Sequence, residues 1–86
     1  MNIDYGQRFA RSTKHLPDDI LDKLGSAVIL LEQNPYHPRL HTKHLRGQFA
    51  GLLSFRVTRD LPVVFRFLGK EAVQLQYITR RKDAYR

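Results

Sequence analysis

Two arginines stand inside apolar, alternating segments: Arg56 in "LLSFRVT" and Arg66 in "PVVFRFL". A period of two sends successive strand side chains to opposite faces. Leu53, Phe55 and Val57, then Val63, Phe65 and Phe67, then Val73, Leu75 and Tyr77 share one face. Ser54, Arg56, Val64, Arg66, Gln74 and Gln76 share the other. An unpartnered guanidinium sealed in a core is costly. The second face is therefore expected to be open and cationic, directed at solvent or at a polyanion. More cations follow in "TRRKDAYR", where Tyr85 beside arginines suits stacking on a nucleobase. His37, His41 and His44 have a spacing that invites a metal, but no cysteine or nearby carboxylate completes a ligand set. Neither a metal nor a cofactor is expected.

The elements that must position these groups are legible in order. "NIDY", residues 2–5, alternates as a short strand with Ile3 and Tyr5 inward. "QRFARSTKHL" reads as a short basic helix. Pro17 suits the first position of a second helix, and Asp18 and Asp19 sit where the helix dipole favours negative charge. Ile20, Leu21, Leu24, Ala27, Val28 and Leu31 then form one apolar stripe, and Asn34-Pro35 ends it. Residues 35–51 read as a loop with an extended piece around 40–45. Strands are expected over 52–57, 62–68 and 72–78, with turns at Thr58-Arg59-Asp60 and Gly69-Lys70-Glu71. Pro62 opens the middle strand without a backbone donor.

Eighty-six residues with 42% hydrophobic content suit one folded domain, 1–86, with one small core. The absence of cysteine excludes disulfides and thiolate metal sites. No apolar run approaches the roughly 20 residues needed to span a bilayer. "MNIDYGQRFARS" lacks the features of a signal peptide, so a soluble, cytoplasmic protein with no membrane partner is expected. The net charge of +7 is unevenly placed: residues 1–36 hold four Lys/Arg and five acids, and residues 37–86 hold eleven Lys/Arg and three acids. The basic part is the part that reads as sheet, which points to RNA, DNA or an acidic protein segment as partner.

The wording of the C-terminal half narrows this. "RLHTKHLRG", "LLSFRVTRDLPVVFRF" and "VQLQYITRRKDAYR", within residues 39–86, together resemble RelE-type (RelE/YafQ/StbE) toxins of the RelE/ParE toxin–antitoxin superfamily. The resemblance implies an α+β fold in which an N-terminal strand and an α-hairpin pack on one face of a small, mainly antiparallel sheet (β-α-α-β-β-β). It implies the toxin of a type II toxin–antitoxin system, a metal-independent, ribosome-dependent mRNA endoribonuclease working in the 30S A site. The ribose 2′-OH attacks the adjacent phosphate in that chemistry. An acidic cognate antitoxin would hold the toxin inactive, and operator DNA would be met only through that antitoxin. By position, Arg56, Asp60, Arg81 and Tyr85 fall on functional places of the family, and His44 is a candidate base beside His41. Lys43, Arg46, Arg59, Arg66, Arg80 and Lys82 are candidate RNA contacts. The chain departs from the family at Pro62, where many members carry an arginine before the apolar triplet of the strand. Arginine cannot act as acid or base, so the chain carries ample charge and few proton-transfer groups. A ParE-like gyrase inhibitor and a weakened member that only binds antitoxin or RNA stay open as alternatives.

Overall fold

The computed structural model describes residues 1–80, and Arg81, Lys82 and Tyr85 lie outside the described residues. In chain order the elements are β1 (Asn2–Tyr5), α1 (Gln7–Ser12), α2 (Asp18–Gln33), β2 (Lys43–His44), β3 (Leu53–Thr58), β4 (Leu61–Phe67) and β5 (Ala72–Ile78). The strands form one sheet in the order β1-β5-β4-β3-β2. β1 runs parallel to β5, and every other pair is antiparallel. The expected α+β architecture is the observed one.

The core lies between the helices and one sheet face. Leu24, Ala27, Val28 and Leu31 of α2 pack with Phe9 of α1 and with Leu53, Phe55, Val63, Phe65, Val73 and Leu75 of the sheet. The front of the predicted stripe is looser, since Ile20 is half-buried and Leu21 exposed. Pro17 caps α2 instead of starting it, and its carbonyl accepts from Ile20 N and Leu21 N, both at 3.0 Å. α1 ends at Ser12, earlier than its basic run suggested. The Ser12 hydroxyl donates to Phe9 O (2.7 Å) and accepts from Ile78 N (3.1 Å), which pins the helix end to the edge of β5 beyond the reach of β1. Gly6 sits between β1 and α1 with its N–H on Leu75 O at 3.0 Å. A Cβ there would lie 2.8 Å from that same oxygen, so the close approach demands glycine. Tyr5 turns outward, against expectation, and its ring meets Phe9 at 5.9 Å.

Two irregularities revise the sorting of side chains. Between Val64 and Phe65 the register against β5 slips by one, leaving Gln76 as an extra residue. Past this bulge the alternation inverts. Ile78 therefore enters the core, and Tyr77, expected there, stands opposite Val64 on the other face. The second bulge leaves Val57 between the pairs Arg56–Pro62 and Thr58–Leu61. It also accounts for Pro62. The Pro62 carbonyl accepts from Thr79 N (3.4 Å), so the backbone of this residue faces the end of β5, just past the last ladder pair, Val63–Ile78. A missing donor is tolerated at such a position near the start of a strand.

Candidate functional site

Two places gather polar groups. The first is the sheet face turned away from the core helices. Register puts Lys43 opposite Ser54, Arg56 opposite Pro62, and Arg66 opposite Gln74 on it. Its centre is not open, which corrects the expectation of a fully exposed face. Val64 and Ser54 are buried, and Leu45 and Val64 are buried outside the main core cluster. The margins carry the charge. Arg66 is exposed, and its Nε donates to Gln74 Oε1 at 3.0 Å. The Gln74 amide donates to Asp4 Oδ2 at 2.7 Å, and Gln76 Nε2 donates to Gln74 Oε1 at 2.6 Å. A chain of hydrogen bonds thus runs across β1, β5 and β4 and fixes the guanidinium at its end. Asp4–Gln74 and Gln74–Arg66 are directly opposed pairs, which is why short side chains can reach. On the β5 side, the Arg8 guanidinium lies 4.0 Å over the Tyr77 ring, an attraction of about 0.5–2 kcal/mol by type.

Arg56 is half-buried and also lines a groove of about 430 Å³ at the outer edge of β3, with Asp22, Lys23, Ser26 and Arg39. It lies four residues along the pattern from Arg66, roughly 13 Å of strand. His44 is opposite Leu53 and so shares the helix side of the sheet. There its Nε2 is 3.3 Å from the Tyr36 hydroxyl, and the Tyr36 ring lies 6.2 Å from that of Phe67. His44 and Arg56 are thus not brought together. His41 takes a left-handed conformation (φ 49°) closing the turn Pro38–Leu40, whose start is capped by the His37 Nδ1 accepting from Arg39 N. Arg46 is exposed at the start of the short turn Gly47–Phe49. Among the described residues, no group of three or more His, Cys, Asp or Glu gathers to hold a metal.

The second place is a cleft of about 670 Å³ at one end of the sheet, lined by His15, Leu16, Pro17, Ile20, Thr58, Asp60, Leu61 and Arg80. Its location follows from strand direction. β1, β3 and β5 all point the same way, so the exit of β5, the two-residue β3–β4 turn and the helices that follow β1 meet at this end. Asp60 and Arg80, both expected in the site, share this cleft, and Arg59 is exposed beside Asp60 in the turn. His15 was not singled out by the sequence. Its only signal was a polar residue in the link between two helices, and no local rule marks such a link as facing a distant turn. Arg8 and Asp4 were missed for the same reason, since their partners lie on β5.

No protein-family model and no curated protein sequence matches the chain. Solved structures do. YafQ from E. coli strain BL21(DE3) superposes with a TM-score of 0.80 at 17% identity, covering 99% of this chain and 98% of that one. The YoeB/ParE toxin from Agrobacterium tumefaciens gives 0.79 at 15%, covering 93% and 98%. A chain of the toxin–antitoxin complex RelBE2 from Mycobacterium tuberculosis gives 0.77 at 22%, covering 93% and 96%. Among the described residues no helix is long and apolar enough to cross a membrane. From its first strand to its last, the chain has the fold of the RelE, YafQ and YoeB toxins.

Proposed function

We propose that residues 1–86 form a single toxin domain of a type II toxin–antitoxin system, a cytoplasmic, ribosome-dependent mRNA endoribonuclease. The observation that carries this reading is a cationic sheet margin, with Arg66 held in place, on a fold shared over nearly its whole length with YafQ. The ribose 2′-OH attacks the neighbouring phosphate, a 2′,3′-cyclic phosphate forms, and the 5′ oxygen leaves. Arg56 and Arg66, too far apart along the strands to share one phosphate, are assigned to successive phosphates of the bound RNA. Lys43, Arg46, Arg59 and Arg80 are assigned to the RNA backbone. Arg81, Lys82 and Tyr85 keep the roles that the sequence resemblance implies, two cations and a stacking ring. His44 is assigned no step, because it faces the helix side with Tyr36.

The partner is an acidic antitoxin segment covering the cationic face, as complementary charge favours. The RelBE2 structure is that of a toxin–antitoxin complex, which supports the same kind of assembly. Primer extension on a reporter message in a translation reaction tests the reading. New 5′ ends with upstream 2′,3′-cyclic phosphates, dependent on ribosomes, are expected. Intact messages would overturn it, and intact messages with gyrase-dependent DNA damage would favour the ParE-like alternative.

A further inference from the structure

The proposed cleavage needs a group that can take a proton near neutral pH, and none of the arginines can. Among titrating side chains, histidine is the type best suited to this. The chain has four. His37 is engaged through Nδ1 in capping a turn, His41 closes that turn in a left-handed conformation, and His44 pairs with Tyr36 on the helix side. Among the described residues, His15 is the histidine that lines the cleft holding Asp60 and Arg80, two residues the sequence already placed in the site. It is exposed, so its ring is accessible to a ligand.

We propose that His15, a residue outside the sheet, is the catalytic residue that accepts the 2′-hydroxyl proton of an RNA nucleotide seated in the end cleft. This rests on the nuclease reading above. The cleft has the ingredients that a nucleotide needs. Leu16, Ile20 and Leu61 give an apolar wall for a base, Arg80 a cation for a phosphate, and Asp60 an acceptor for an imidazolium or a ribose hydroxyl. Its volume of about 670 Å³ falls within the usual range for small-molecule sites. Among the described residues, the charged groups that line the cleft with His15 are Asp60 from the β3–β4 turn and Arg80 from the end of β5, and Lys14, Asp18 and Asp19 are near it in the chain. In the step, neutral His15 takes the proton as the O2′–P bond forms and the P–O5′ bond breaks. The leaving O5′ takes a proton from solvent, and the imidazolium later returns its own to solvent. Atoms and charge balance without a metal or a second reactant.

The test uses the full chain in single-turnover cleavage on ribosomes programmed with a short message, across a range of pH. Because the base works only when neutral, the wild-type rate should fall on the acid side. His15→Ala should cut the rate by about a hundredfold and abolish that acid limb, with an unchanged melting temperature. Added imidazole, which the vacated cleft can admit, should restore a measurable part of the rate. A His15→Ala rate within about threefold of wild type, or a loss that keeps the acid limb and resists imidazole, would overturn the assignment and leave the nuclease reading standing. Loss of the acid limb in His44→Gln instead would also overturn it. A wild type that cleaves no message would overturn both.

Discussion

The sheet margin and the end cleft are built on opposite principles. On the margin, one cation is held by a relay of neutral and acidic partners, with Arg66 on Gln74, Gln74 on Asp4, and Gln76 completing the acceptor. That arrangement fixes a charge and offers no group able to exchange a proton near neutrality. In the cleft, a histidine, a carboxylate and one arginine surround a concave space with an apolar wall. The difference teaches that the surface that holds a polyanion and the site of proton transfer need not coincide. Directly opposed strand residues make the first easy, because their side chains meet without help from elsewhere. The second needs three separate links of the chain to converge, and the common direction of β1, β3 and β5 brings that about.

This contrast can be broken in order of effect. The double variant Arg56→Glu/Arg66→Glu should weaken binding to single-stranded RNA by about a hundredfold at low salt and lower the salt slope by about 2. Filter binding over a salt series measures both, and an unchanged slope would remove the sheet margin from the RNA path. Next comes Gly6→Ala, which pushes a methyl against Leu75 O and so displaces the start of α1 and the link that carries His15. It should cost about 1–3 kcal/mol, or roughly 4–8 °C of melting temperature per kcal/mol. Calorimetry gives the shift, and cleavage should suffer more than RNA binding. The smallest effect is expected from Asp4→Asn, which keeps the shape of the relay and removes its anchoring charge. A severalfold loss of RNA affinity, less than that of Arg66→Ala, is the expected result. A loss equal to that of Arg66→Ala would mean that Asp4 sets the whole position of the guanidinium.

Most of the fold was legible, because its elements follow short periods. The alternation of residues 2–5 and 72–78 marks β1 and β5 with their observed limits, and β3 and β4 are displaced by one residue. The stripe on α2 names four of its core residues, Leu24, Ala27, Val28 and Leu31. The candidate site was legible only in part. Arg66, Asp60 and Arg80 lie where polar groups gather, whereas His44 is turned to the helix side by its pairing with Leu53. A two-residue strand flanked by loops carries too little pattern to set its own face. Arg56 was expected on an open surface and is half-buried, because it lines the groove with Asp22, Lys23 and Ser26 of α2, which lie far from it in sequence.

The amino-acid sequence by itself determined most of the strands and helices, the core faces of α2, β3 and β4, and the concentration of positive charge in the sheet. These are properties of neighbours a few residues apart, governed by backbone periodicity and the cost of burying charge. Tertiary structure alone decided where the alternation inverts. The extra residue at Gln76 moves Tyr77 out of the core and Ile78 into it, since a bulge reports the fit between two strands and not the preference of one. It also decided that His15 and Asp60, 45 positions apart in the chain, line one cleft. Proximity of that kind comes from the common direction of three strands and the closure of the helices on the sheet, which no local stretch encodes.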